Sequence, residues 1–106
     1  MLDIGHEYRE EAKCVLSEVS VFIDERVGTH PDPRNELSAI GRMWGSLLGI
    51  GAIPPEKVAL LLICLKVARA WEKPDHEDNF LDIAGYAAIG CAHVRLEKAN
   101  VGHASR

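Results

Sequence analysis

Long apolar runs are what this 106-residue sequence has least of. The longest, Val58 to Leu65, is eight residues, far below the ~20 that a membrane span needs. Pro54, Pro55, Glu56 and Lys57 cut it off from the apolar stretch before it. The opening Met1-Leu2-Asp3-Ile4-Gly5-His6-Glu7 has no basic segment followed by a hydrophobic one, so no secretory signal is expected. Cysteine is scarce. Cys14, Cys64 and Cys91 are odd in number, widely spaced and set among apolar residues. They read as three small buried hydrophobes, not as a disulfide framework or a zinc site, and a reducing cytoplasm is the expected setting. Basic blocks are absent: 12 Lys and Arg face 16 Asp and Glu, a net charge of −4. That balance excludes strong non-specific nucleic-acid binding. It leaves room for a phosphate ligand held by two or three local cations. No internal repeat and no low-complexity segment is visible.

Clean polar–apolar alternation is also missing, so strands are not expected. A chain of this length makes one domain, residues 1–106. The period is helical, and four helices are predicted. The first covers residues 6–26, with Ala12, Leu16, Val19 and Ile23 as its stripe and Gly28 as its stop. Thr29-His30-Pro31-Asp32-Pro33 forms a stiff linker. Asp32 then serves as N-cap with Pro33 at the first helical position, and the second helix runs to Leu48 before Gly49-Ile50-Gly51. Pro54-Pro55 opens the third helix, which continues to Trp71. It is apolar on every side from Val58 to Leu65 and so is expected at the buried centre of a bundle. Pro74 ends it, Asp75 caps a fourth helix over residues 76–98, and the tail from Asn100 is expected to fray. Short connections between such helices make antiparallel neighbours, hence an all-α, four-helix bundle. A chain this small buries only roughly two-thirds of its unfolded surface, so self-association into a homodimer or homotetramer is expected to complete the core.

Three polar groups stand where a plain bundle does not need them. Glu36 lies within about 40° of Ile40, Met43 and Leu47 on a helical wheel, in line with the core stripe of the second helix. It is either a paired or metal-bound carboxylate or a first-turn glutamate favoured by the helix dipole. Asp78 and Asp82 are one turn apart on one face, where like charges repel and attract a cation. Oxygen ligands of this kind suit Mg²⁺ or Mn²⁺. The competing account is an exposed acidic face, since the main apolar stripe of this helix, Phe80, Ala84, Ala87 and Cys91, lies opposite Asp82. Tyr86, Ile89 and His93 nevertheless share the acidic side, which suggests the wall of a cleft or a subunit contact. Lys66, Arg69 and Lys73 fall within an arc of about 60° on the third helix. They either pair with Asp82 and Asp78 or bind ligand phosphates. Carboxylates that hold divalent cations beside Lys or Arg are the equipment for cleaving a phosphoanhydride.

These residues also carry a resemblance. Asp78-Asn79-Phe80-Leu81-Asp82-Ile83-Ala84-Gly85-Tyr86-Ala87-Ala88 resembles the DNxxDIAGYAA signature of small MazG-like, all-α nucleotide pyrophosphohydrolases, common in phages. Lys66-Val67-Ala68-Arg69 is similar to that group's KxAR element. Glu36 followed by Ile40 and Trp44, and preceded by Gly28-Thr29-His30-Pro31, is similar to its helix-two pattern. The likeness covers residues 26–94.

It implies a four-helix unit that dimerises or forms tetramers and uses Mg²⁺ or Mn²⁺ to hydrolyse a nucleoside triphosphate to monophosphate and pyrophosphate. By the same resemblance Asp82 matches the aspartate of an ExxD motif. Asn79 stands at its glutamate, with Asp78 adjacent as a substitute, and Glu36 matches the helix-two acid. Ala39 replaces the second glutamate of the usual ExxE, which leaves the number of metals open. Some phage members consume dGTP, and a phage-encoded enzyme would act in the host cytoplasm. The expected mechanism gives Glu36, Asp78 and Asp82 to metal ions that activate a water, and Lys66 and Arg69 to the β- and γ-phosphates. Tyr86 or Trp44 would stack on the base, with a core role the competing account for Trp44. His30 would touch ligand from its loop or stay an exposed loop histidine.

Two enzymatic rivals fail on sequence: Asp75-His76-Glu77-Asp78 contains no His-Asp pair, and no Glu stands three before His30, His76 or His93, as a ferritin-like site requires. The rival of a different class is a non-catalytic helical interaction module whose charged faces are interface salt bridges.

Overall fold

The chain forms four helices among the described residues. In the computed structural model, which describes residues 4–25 and 32–104, these are α1 (Ile4–Glu25), α2 (Pro33–Leu48), α3 (Pro55–Glu72) and α4 (Glu77–Ala104), with no strand among the described residues. The linker residues Gly28, Thr29, His30 and Pro31 lie outside the described residues.

The start of α2 follows the expected chemistry. Asp32 Oδ1 accepts from the Arg34 N–H at 2.8 Å, and Pro33 fills the first helical position, where a missing N–H costs nothing. The end of α2 is a left-handed cap. Gly49 takes φ 69°, its N–H donates to the Ser46 carbonyl, and the Ile50 N–H donates to the Gly45 carbonyl at 3.1 Å. The loop then folds back along α2, and the Ile53 N–H donates to the Gly41 carbonyl at 3.1 Å. A side chain at Gly41 would collide with the Ile53 carbonyl oxygen, and one at Gly45 with that of Gly51. Both positions need glycine for space.

α3 and α4 form an antiparallel hairpin and the most extensive contact in the fold. Its register is held at both ends, by Lys66–Asp82 at 3.0 Å and His93–Glu56 at 3.4 Å. Between them Gly90 lies over Ala59, close enough that an added methyl would stand 3.2 Å from the alanine's own. α2 packs on α3, and α1 packs on α4. Leu37, Val58 and Ala59 make the buried centre, with Ile40, Trp44, Ile53, Leu62 and Ile89 against it.

Several expectations fail for one physical reason: the centre is small and the chain open. The radius of gyration is 16.8 Å, against about 13 Å for a compact chain of this length. The accessible surface is 8210 Å², against roughly 5,900 Å² for a compact protein of its mass. α3 is therefore not the all-round buried rod its composition suggests. Val58 and Ala59 are buried, but Leu60 is 60% and Leu61 46% exposed. The three cysteines are exposed, not buried. Of the α1 stripe only Val19 is buried, while Leu16 is 63% exposed. On α2 the buried line is Leu37, Gly41 and Gly45; of the expected stripe Ile40 is half-buried against the centre, while Met43 and Leu47 face outward. On α4 the expected apolar stripe is not the inner one. Phe80, Ala87 and Cys91 are exposed, whereas Asp82, Tyr86, Ile89 and His93 turn toward the rest of the chain. α4 starts at Glu77, after a turn in which the His76 N–H donates to the Lys73 carbonyl, and stays helical to Ala104 instead of fraying at Asn100.

Candidate functional site

The phase of α2, set by Asp32 and Pro33, turns Glu36 toward the junction of three helices. Its N–H donates to the Asp32 carbonyl at 2.9 Å, and its half-buried carboxylate sits in the first turn, where the helix dipole favours negative charge. There it lines a pocket of about 230 Å³ with Pro33, Leu37 and Ile40 of α2, Leu62 of α3, and Tyr86 and Ile89 of α4. Glu36 and Tyr86, singled out separately on different helices, thus share one cavity.

The antiparallel register extends the site. Asp82 precedes Tyr86 by one turn on α4, and Lys66 follows Leu62 by one turn on α3, a rise of ~6 Å along the hairpin. There the Lys66 ammonium meets the Asp82 carboxylate at 3.0 Å, with the lysine side chain 16% and the aspartate 46% exposed. Of the two accounts offered for Lys66, the salt bridge is present. Arg69 stands exposed in the last turn of α3, and Lys73 is exposed just beyond it. Asp78 lies one turn before Asp82 but points to solvent, with His76 Nε2 at 3.9 Å. Asn79 is buried beside it, 7% exposed. Among the described residues no buried side-chain nitrogen or oxygen lacks a hydrogen-bond partner. Trp44 packs against the Leu37–Val58–Ala59 cluster, the core side of its two accounts. His30 lies outside the described residues.

Sequence reasoning missed the second polar pair of the seam. His93, 11% exposed, meets Glu56 at 3.4 Å. Both line a larger, more open cavity of about 670 Å³ with Arg34, Pro54, Glu97 and Lys98, where Arg34 pairs with Glu97 at 3.3 Å. The signal was available in the register. In an antiparallel hairpin the residue numbers of facing positions have a nearly constant sum, so Lys66 opposite Asp82 puts Glu56 opposite His93.

The donor set bears on the expected metal. Among the described residues no three His, Cys, Asp or Glu side chains gather as an ion site requires. Glu36 lines the pocket, Asp82 is engaged by a cation, and Asp78 faces solvent. A single copy of the chain thus offers no three-donor cage among the described residues.

Fold and cleft together define an all-helical domain with a carboxylate, a tyrosine and a charged pair at one helical junction. Residues 14–94 match a family model described as a domain of unknown function, DUF6378, and the chain belongs to that family. It is also similar to the Gene 55 protein of Mycobacterium phage L5, 35% identical over 65 residues. That alignment takes in 61% of this chain and 42% of the phage protein, so the chain spans less than half of that relative's length. No solved structure matches. No helix among the described residues is long and apolar enough to cross a membrane.

Proposed function

We propose that the protein is a MazG-like pyrophosphohydrolase that converts a nucleoside triphosphate, dGTP being one candidate, to the monophosphate and pyrophosphate. The observation that carries this reading is the shared pocket of Glu36 and Tyr86 with Lys66 and Asp82 one turn away. The helix-four signature that contains Asp82 and Tyr86 supports it. The divalent ion, Mg²⁺ or Mn²⁺, enters as part of the substrate, carried on the triphosphate. In this reading the base stacks on Tyr86, and Lys66 and Arg69 neutralise the phosphate chain. A water oxygen bonds to the α-phosphorus, and the bond from that phosphorus to the bridging oxygen breaks. Pyrophosphate leaves with the electron pair. The proton of the water passes to a carboxylate of the pocket, Glu36.

The same proposal includes a second copy of the chain over the exposed apolar faces of α1, α3 and α4. The exposed area in excess of a compact chain, roughly 2,300 Å² per copy, is of the size that stable homodimers bury. The host cytoplasm, where nucleoside triphosphates are available, is the proposed place of action.

The test is a panel of common NTPs and dNTPs with Mg²⁺ or Mn²⁺, scored for pyrophosphate separately from phosphate. Pyrophosphate release from at least one nucleotide is expected; silence across the panel refutes the enzyme. A second reading, a non-catalytic helical interaction module, is favoured by the exposed apolar faces. Thermal unfolding with and without a magnesium–nucleotide analogue separates the two, because a ligand of the folded state must raise the midpoint.

A further inference from the structure

We infer that α1 is the arm by which two copies of this chain hold each other. Each copy lays the acidic flank of its α1 into the apolar groove between the 49–54 loop and α3 of the other. The inference rests on the second-copy part of the proposal above, but not on hydrolysis.

Charge is unevenly spread along the chain. With histidine neutral, α1 holds two basic and six acidic residues, a net −4, which equals the charge of the whole sequence. The remainder sums to zero. Val19 is the buried residue of α1, and on a helical wheel Glu7, Glu11 and Glu18 gather on one flank, about 80–120° from it. Between that flank and Val19 runs an apolar row, Tyr8, Val15 and Phe22, seven residues apart and open to solvent. Arg9 and Lys13 fall on the opposite flank. A second α1 brought against the acidic flank would be repelled by like charge, so this row needs a different surface. The fold supplies one. A groove of about 550 Å³ is lined by Ile50, Ile53, Leu60, Leu61 and Cys64, and its single charged lining residue is a cation, Lys57. Lys57, Leu60, Leu61 and Cys64 have the spacing of one helical face, along which a second helix can lie. Among the described residues no ion pair engages Glu11, Glu18 or Lys57. The other wholly apolar groove, about 450 Å³ beside Trp71 and Pro74, has Glu72 and Asp75 next to those residues, which oppose an acidic helix. In the first groove Tyr8, Val15 and Phe22 cover Leu60 and Leu61, while the acidic flank faces Lys57. Made twice around a two-fold axis, the contact closes on itself. A standard interface buries roughly 800 Å² on each partner, well within the excess exposed area of this chain.

Sedimentation equilibrium of the full chain tests this. The unmodified chain should sediment as a dimer or a larger even assembly. Lys57→Glu should weaken the association by roughly 10-fold or more, and so should Glu11→Lys combined with Glu18→Lys. All three changes on one chain restore opposite charges across the contact and should return the affinity to near that of the unmodified chain. A second measurement leaves every charge in place. Cys14 on α1 and Cys64 in the groove are both exposed. In a Cys91→Ser background, Cys14→Ser chains mixed with Cys64→Ser chains should be joined by a bismaleimide in higher yield than either variant alone. An assembly that neither charge reversal weakens, a pair of reversals that do not rescue each other, or equal cross-linking yields overturns the inference while self-association stands. A monomer at all concentrations overturns both. Rescue without pyrophosphate release from any nucleotide keeps the docking and removes the hydrolase. Pyrophosphate release by an assembly that ignores these reversals keeps the hydrolase and removes the docking.

Discussion

The seam between α3 and α4 and the outer faces of the same two helices are built in opposite ways. Along the seam lie Glu56, Lys66, Asp82 and His93, with small residues, Ala59 and Gly90, between them. On the outside stand Leu60, Leu61, Leu65, Val67, Trp71 and Phe80, all between 45% and 84% exposed. Lys66 and His93 turn inward in one copy while these large apolar groups turn outward. Hydrophobicity therefore does not by itself tell which face of a helix a single copy buries. Here the side is chosen by charge pairing and by how closely small residues let the backbones approach. The seam keeps the Lys66 ammonium because it meets the Asp82 carboxylate, and an ion pair with one buried member is costly to break from one side only.

The largest expected effect comes from breaking the seam at its polar centre. Asp82→Asn should reduce pyrophosphate release by about 10²–10³-fold, the range for loss of one charge-stabilising group, with helical content unchanged. Comparable turnover by that variant would place the chemistry elsewhere. A close second is a test of the tight side of the core. Gly45→Val forces a side chain into the Gly51 carbonyl and should cost about 3 kcal/mol in urea unfolding. Leu37→Ala, at the buried centre, should cost about the same or slightly less. The outer face makes the sharper contrast. Leu60→Glu should change the stability of a lone copy by less than about 0.5 kcal/mol. Under the proposed self-association it should also lower the sedimenting mass and remove any concentration dependence of the midpoint. An unchanged mass would leave the outer faces without the assigned partner. At the other end of the core, Asp32→Ala should cost about 1 kcal/mol in urea unfolding, through loss of the cap that sets the phase of α2 and aims Glu36 into the pocket.

The helices were legible because their signals are local. Asp32-Pro33 and Gly49 act within one turn of their own positions, so the bounds of α2 follow from sequence to the residue. The candidate site was legible in part. Glu36 and Tyr86 share a pocket, and Lys66 meets Asp82, as polar residues on buried lines suggest. The faces were not legible, because the wheel assumed that the most apolar stripe is the buried one. That rule put Phe80, Ala87 and Cys91 inside, where they are exposed, and left the Asp82 side open between a solvated face and the wall of a cleft. Gly41 and Gly45 carried a usable signal: two glycines four apart mark one helical face with no side chains, where another backbone approaches closely. The contacting backbone belongs to the returning loop at Gly51 and Ile53.

What the sequence alone determined is the set of four rods and their ends, since capping, proline geometry and helical period depend on neighbours within a few residues. Only the tertiary structure decided which face of each rod turns inward, that Asp82 is held by Lys66, and that the seam continues to Glu56 and His93. Those outcomes depend on the register between residues far apart in the chain, where charge pairing and steric fit outweigh the apolar count of any one stripe.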